Sequence, residues 1–338
     1  MTTITIACPI CKKNFIIQGT PGEKIDVICP SCKTKGVFRL PEETPLRTST
    51  KDQVALDIQN LSFTYPKTEK KAVDEVTFHI KTGEIFGFLG PNGAGKSTTQ
   101  KVIIGLLRGY NGNIELLGKN LKNWKNDLYE HIGVCFEFPN HYQKLTALEN
   151  LKLFSSFYRN ITVDPSELLV MVGLEKEANQ RVGSFSKGMK TKLNFVRALL
   201  NNPQMLFLDE PTTGLDPVSA RQIKNIIHEK KRQGTTIFLT THNMNDADEL
   251  CDRVGFMIDG RLALIEKPKD LKLKHGKKIV RVEYINNEEI THQEFTLAKL
   301  GSNTTFINLL NSGRIQTIHT QEATLDDVFI KVTGRQLK

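Results

Sequence analysis

Apolar positions recur along the middle of the chain in two ways. Val54, Leu56, Ile58 and Leu61, then Ala72, Val73, Val76, Phe78 and Ile80, fall at or near every second residue. That period predicts strands with one buried face. Ile85 to Leu89, Ile132 to Phe136 and Met205 to Leu208 are unbroken apolar runs, and Thr235 to Thr241 (TTIFLTT) is a fourth run with threonines at its ends. These predict fully buried strands, with Met205 to Leu208 a central parallel one. Val102, Ile103, Leu106 and Leu107 predict one face of a helix, and Tyr142 to Asn150 with Leu151, Leu153, Phe154 and Phe157 predict an amphipathic helix. Before the first run, Phe15 to Ile17 and Ile25 to Ile28 predict short strands. The polar segment PEETPLRTSTKD, 41–52, predicts a linker. Near the end, Ile279 to Tyr284, Gln293 to Leu297 and Gly313 to His319 predict strands, and Phe306 to Leu310 a helix. Thr324 is placed to cap a last helix carrying Leu325, Val328 and Phe329. The pattern divides the chain into 1–48, 53–276 and 277–338.

Chemistry gathers at the ends of the buried runs. Ile85 to Leu89 leads into Gly90-Pro91-Asn92-Gly93-Ala94-Gly95-Lys96-Ser97-Thr98. A strand, a glycine-rich loop and a helix are what a phosphate-binding loop requires. The glycines let backbone N–H groups converge on one anion, and the helix N-terminus adds donors and partial positive charge. Lys96 reaches the β- and γ-phosphates, and the Ser97 hydroxyl is a Mg²⁺ ligand. Met205 to Leu208 ends in Asp209-Glu210, and ligands sit at the carboxyl ends of such strands. Asp209 can hold Mg²⁺ through water or Ser97. Glu210, one residue on, is placed to polarise a water on the γ-phosphate.

Four of the six cysteines form two C-x-x-C pairs, Cys8/Cys11 and Cys29/Cys32. Two tight turns presenting four thiolates to one ion make a closed zinc-ribbon site, structural because no position is left for water. Disulfides or a redox pair are the rival readings; a cytosolic setting disfavours disulfides. Residues 1–48 hold too few apolar positions for a core, so Zn²⁺ would stabilise the module's fold.

Residues ~54 to ~276 resemble the nucleotide-binding subunit of ATP-binding-cassette (ABC) transporters. The resemblance rests on the Gly90 to Thr98 loop, the LDEPT segment Leu208 to Thr212, Gly214-Leu215-Asp216-Pro217, His242, and Ser184-Phe185-Ser186-Lys187-Gly188-Met189-Lys190 at the signature position. Ser186 and Gly188 match that signature; Phe185, Lys187 and Met189 depart from it. The resemblance implies an α/β P-loop fold with an antiparallel β subdomain and a helical subdomain. It implies that Tyr65 stacks on adenine and that His242 contacts the γ-phosphate and orients the water of Glu210. It further implies that Ser186 and Gly188 meet the γ-phosphate held by a second subunit, in a homodimer or pseudo-dimer. Glu137 stands where the family has a glutamine contacting Mg²⁺ and the attacking water, and is kept as a nucleotide or metal contact. The ending Leu325-x-x-Val328-Phe329…Thr333-Gly334 resembles the small α+β regulatory tail of drug- and polyketide-exporter ATPases.

The resemblance therefore implies an ATP-hydrolysing subunit that drives a separate integral-membrane permease, with ATP and Mg²⁺ at the active site. The amphipathic helix after Tyr142 is the expected permease contact. At 338 residues, 39% hydrophobic and 25% charged, the chain suits two or three globular domains. No stretch approaches the ~20 apolar residues that cross a bilayer. Cysteines occupy the start of the chain where a signal peptide would be apolar. The expected location is cytoplasmic, peripheral on the membrane's inner face. A net charge of +9 permits an anionic partner. The basic run Lys267, Lys269, Lys272, Lys274, Lys277, Lys278 and Arg281 is either a solvated face or a contact with anionic lipid. The alternative is a soluble ABC ATPase acting on nucleic acid or ribosomes through its ribbon.

Overall fold

A computed structural model describes residues 2–7, 10–11, 14–20, 23–39, 53–160, 162–276, 278–286, 289–321 and 323–334. The expected linker 41–52 and Cys8 lie outside these residues. The chain forms two compact units, 1–48 and 49–338.

The first unit holds two antiparallel hairpins. Thr2–Ala7 pairs with Asn14–Gly19, and Lys24–Ile28 with Lys35–Arg39. Sequence reading finds the inner strand of each hairpin and misses its partner: the alternation of Ile4 and Ile6 with Thr3 and Thr5 is short, and Lys35–Arg39 carries only Val37 and Phe38 as large apolar residues. Among the described residues of this unit, the buried apolar side chains are Ile17 and Cys29, whereas Ile16, Ile28 and Val37 are more than half exposed.

The second unit is built on a six-stranded sheet. Its order is Ile132–Cys135, Met205–Asp209, Thr236–Thr241, Ile85–Leu89, Arg253–Ile258 and Arg261–Glu266. The first five run parallel and the last is antiparallel. Ile85–Leu89, Met205–Asp209 and Thr236–Thr241 are buried at every residue, as unbroken apolar runs require. A four-stranded antiparallel sheet, Lys71–Lys81, Val54–Thr64, Asn111–Leu116 and Lys119–Asn120, packs against it. The two sheets meet through Phe78, which stacks on Phe86 at 5.2 Å and lies near Phe88 and Phe238. Such ring pairs add about 0.5–1.5 kcal/mol each beyond the area they bury. They fix the strand that carries the glycine-rich loop.

Two helices are shorter than the apolar spacing predicts. The helix after the loop spans Lys96–Ile103 and stops before Leu106 and Leu107, because Gly105 turns the chain at φ 77°. The amphipathic helix begins not at Tyr142 but at Ala147 and ends at Ser155. Thr146 accepts from Glu149 N while the Glu149 carboxylate accepts from Thr146 N, a capping box that sets its start.

The expected C-terminal segment packs in two places. The strands Ile279–Asn286, Glu289–Thr296 and Ile315–Gln321 form a small sheet covered by Thr304–Asn311. The last helix, Leu325–Thr333, leaves that sheet. Its Leu325, Val328 and Phe329 join one cluster with Leu89, Met244, Ala247, Val254, Phe256 and Leu271. Leu89 is the last residue before the glycine-rich loop, so the chain's final helix helps to support that loop.

Candidate nucleotide site

The site lies at the carboxyl ends of three adjacent parallel strands, Met205–Asp209, Thr236–Thr241 and Ile85–Leu89. From the last of these, Gly90, Pro91, Asn92, Gly93, Ala94 and Gly95 curve into the helix that starts at Lys96. Gly95 caps that helix at φ 104°, and a Cβ there would lie 2.4 Å from Ala72 O. Only glycine meets both conditions. The first amides of the helix have no intrahelical partner and face the loop. Lys96 is buried, and its Nζ donates to Gly90 O at 2.6 Å and Pro91 O at 3.1 Å.

Asp209 and Glu210 are held by hydroxyls from the neighbouring strand. Asp209 is in register with Thr240, whose Oγ1 donates to Asp209 Oδ1. Ser97 Oγ donates to the same oxygen at 3.3 Å. Glu210 turns out of the strand at φ 50°. Its Oε2 accepts from Thr213 Oγ1 and Thr241 Oγ1, both at 3.0 Å. Its Oε1 accepts from His242 N at 2.8 Å and is hydrogen-bonded to His242 Nδ1 at 2.7 Å. A buried carboxylate aimed by four groups is preorganised, and the turn at positive φ sets its direction. The threonines Thr213, Thr240 and Thr241 are contacts that motif reading misses. For Thr240 and Thr241 the signal is the doubled threonine that ends TTIFLTT, on the strand paired with the one ending in Asp209.

Electrostatics in the site are opposed to burial. Burial pushes the Lys96 ammonium down, against the attraction of Glu210, Asp209 and Glu137. Burial likewise pushes the Asp209 carboxyl up, against hydrogen bonds from Thr240 and Ser97. Both charges are short of compensation from within the chain. A polyphosphate and a divalent cation carry the charges that would supply it. A hydroxyl beside a carboxylate is also a donor set suited to Mg²⁺.

The remaining candidates lie at different places. Tyr65 follows the strand Val54–Thr64, with its OH 3.1 Å from Thr98 Oγ1 and its edge against Phe63. Its ring is about one-third exposed (37%), which leaves a face for a base. Glu137 is exposed at the end of Ile132–Cys135, near enough to Lys96 to act on its charge. Ser186 caps the helix Lys187–Arg197, accepting from Met189 N at 3.2 Å, and Gly188 lies in its first turn. The structure brings Lys96, Ser97, Asp209, Glu210 and His242 together by direct contacts and shared charge. Ser186 is not among them: the hydrogen bond it makes is the cap to Met189 N. Lys187 packs its aliphatic chain across Gly214. Lys187 is nevertheless exposed to solvent.

The helix Lys187–Arg197 is also bonded to the segment after Cys135. Asn194 Nδ2 donates to Phe136 O at 2.7 Å, and Arg197 Nη1 to Asn140 O at 2.7 Å. In the first unit, the sulfurs of Cys11, Cys29 and Cys32 lie within 4.8 Å of one another. Cys11 and Cys29 Sγ are 3.6 Å apart, far beyond a disulfide bond and close to the ~3.8 Å edge of a tetrahedron with ~2.3 Å Zn–S bonds. Backbone N–H groups of Cys32 and Ser31 hold the Cys29 thiol below its usual range, with burial opposing.

Comparison with known proteins gives these geometries a context. The family profile described as "ABC transporter" matches residues 73–213, and that of the "Fluoroquinolone efflux ABC transporter C-terminal domain" matches residues 278–322. The chain is 52% identical over 281 residues to a fluoroquinolones export ATP-binding protein of Mycobacterium tuberculosis, covering 83% of this chain and 93% of that one. It is 33% identical over 288 residues to a bacitracin transport ATP-binding protein of Bacillus licheniformis, covering 78% and 93%. Among solved structures, a dimeric ATP-binding cassette in a post-hydrolysis state bound to ADP and Pi aligns with a TM-score of 0.58 at 30% identity, over 63% of this chain and 98% of that one. An ATP-binding subunit of an ABC transporter aligns with a TM-score of 0.60 at 32% identity, over 66% and 93%. These relatives are transport subunits, and nothing among them favours action on nucleic acid or ribosomes. The chain belongs to the ATP-binding, ATP-hydrolysing subunits of ABC transporters.

Proposed function

We propose that this chain powers the export of a small molecule by a separate membrane permease, as the names of its relatives suggest. The observation that carries the reading is Glu210, buried at a strand end and aimed by Thr213, Thr241 and two groups of His242. Glu210 is the group that orients and takes a proton from the water attacking the γ-phosphate. His242 fixes the carboxylate through Nδ1, which leaves Nε2 as the ring atom for the γ-phosphate. Lys96 and the loop amides from Gly90 to Thr98 bind the phosphates, and Tyr65 offers its ring to the adenine. Ser97 and Asp209 would hold Mg²⁺, which when bound offsets charge on the β- and γ-phosphates. Glu137 borders the same cation and nucleotide. Ser186 and Gly188 serve the nucleotide of a second chain, so two chains enclose two ATP.

The permease contact is best placed on a groove of about 870 Å³ between the core and the helical subdomain, lined by Leu106, Tyr129, Phe136, Tyr142, Phe157 and Arg197. Among the described residues no helix is long and apolar enough to cross a membrane. A separate spanning partner and a peripheral place at the membrane accord with that. Cys8, Cys11, Cys29 and Cys32 are proposed to hold one structural Zn²⁺. The three described sulfurs fit such an ion, and Cys8 lies outside the described residues.

Glu210→Gln tests the reading. The variant should bind ATP as the parent does, lose turnover by at least about 100-fold, and accumulate as an ATP-bound dimer. Hydrolysis at the parent rate would refute the role given to Glu210.

A further inference from the structure

Beyond the residues assigned above, one buried carboxylate ties together three elements around the site. Asp246 lies in the first turn of Met244–Leu250, the helix that follows His242, and is 7% exposed. Its Oδ2 accepts from Thr212 Oγ1 at 2.5 Å. Thr212 lies two residues after Glu210, in the loop that leads to Gly214. Asp246 Oδ1 accepts from Lys224 Nζ at 3.1 Å. Lys224 belongs to Pro217–Arg232, the helix that this same loop enters, and its Nζ also donates to Glu249 Oε2 at 2.5 Å. Asn243 Oδ1 accepts from Asn245 N and Asp246 N and so sets the start of the helix that presents Asp246.

The consequence is a closed circuit. Glu210 is bonded to His242. The helix after His242 is bonded through Asp246 to Thr212, and the chain returns from Thr212 to Glu210. Thr213, next in the loop, donates to Glu210 as well. Charge-assisted hydrogen bonds to a buried carboxylate are among the stronger side-chain links. The pairing with Lys224 satisfies a charge that burial alone would make costly.

We propose that Asp246 is a positioning residue that latches the 211–216 loop to the helix following His242, so that Glu210 and His242 keep one geometry and move as one body. This rests on the proposed hydrolytic role of Glu210. The sequence hides the latch, since Thr212 and Asp246 are 34 positions apart and Asp246 stands in none of the motifs. In the proposed function ground-state binding of ATP relies on the Gly90 to Thr98 loop and Tyr65, whereas the hydrogen bonds of Asp246 go to Thr212, Lys224 and Asn243. Loss of the latch should therefore appear in kcat and not in KM.

The test uses the full chain carrying Thr212→Val, Asp246→Asn, both together, or Thr212→Ser, assayed where each variant remains folded. Each of the first two should lower kcat about tenfold while KM for ATP stays within about twofold, since small misplacements of reacting groups are costly. The double variant should lose no more than the worse single one, as expected of one shared interaction. Thr212→Ser, which keeps the hydroxyl, should restore kcat. Amide hydrogen exchange provides a second arm that needs no turnover. Asp246→Asn should speed exchange in 211–216, and Thr212→Val should speed it in 243–250. Single-variant kcat values within twofold of the parent, or losses that multiply in the double variant, would overturn the latch. So would exchange that rises only in the mutated element. A parent that hydrolyses ATP alongside unaffected latch variants would refute the latch alone. A parent without turnover would refute the proposed function and leave the exchange arm to decide the latch.

Discussion

The 1–39 module and the 53–334 body bring their reactive side chains together in opposite ways. In the body, the fold comes first. Fully buried strands and a stack of phenylalanines set three strand ends side by side, and Lys96 and Asp209 are carried there at a cost in desolvation. In the module, Ile17 and Cys29 are the buried apolar side chains among the residues whose burial is described. Three described sulfurs gather there, and in the proposed reading the order of causes is reversed: a metal would make the fold. A large core can pay for badly solvated charges, and a small unit must be held by the ligands themselves.

Removing the metal should separate the two regions most sharply. Zinc binding in such modules is of order 10 kcal/mol. Purified chain should carry one zinc, and a strong chelator or Cys29→Ser should abolish amide protection across 14–39 while 53–334 keeps its own. Metal analysis that finds none would remove the contrast. A smaller effect is expected from Phe329→Ala. Phe329 is fully buried and meets Phe256 edge to face at 5.1 Å. Its truncation should destabilise the body by about 3–5 kcal/mol in denaturant unfolding. A change confined to the 279–321 sheet would show that the last helix is not part of the core.

The smallest effect concerns His141. Its Nε2 is 3.0 Å from Lys190 O, its Nδ1 is buried without a partner, and burial pushes its pKa down to about 4. The ring is neutral in the folded body and takes a proton more readily when unfolded. Stability should therefore fall as pH drops from about 6.5 toward 4, by up to about 1.4 kcal/mol per pH unit. His141→Gln should lose that part of the slope. An unchanged slope would mean that the ring is better solvated than its surroundings indicate.

Much of the body is legible from sequence, for local reasons. Unbroken apolar runs between turn signals have few interpretations, and the Gly90 to Thr98 loop is a linear motif whose chemistry is continuous in the chain. The capping box at Thr146 and Glu149 is also legible in the sequence, and in the structure it overrides the helical spacing that starts at Tyr142. What stays hidden depends on register between distant segments. Thr240 and Thr241 act on Asp209 and Glu210 only because two strands pair in one particular offset. Asp246 finds Thr212 for the same kind of reason. The amphipathic pattern of Leu325, Val328 and Phe329 predicts a buried face without saying that Leu89 and Phe256 lie opposite. The cysteine spacing predicts a cluster, and the structure adds that three of its sulfurs converge.

In the proposed function each chain holds half of each ATP site. Mixing two inactive variants tests it most directly. Lys96→Ala disables a chain's own phosphate loop, and Ser186→Phe disables what it lends to its partner. Each variant alone should fail to hydrolyse ATP. A mixed pair contains one intact site, built from Lys96 of one chain and Ser186 of the other, so mixing should restore measurable turnover. Mixtures that stay as inactive as their components would contradict the two-chain site, as would Ser186→Phe with the parent's activity.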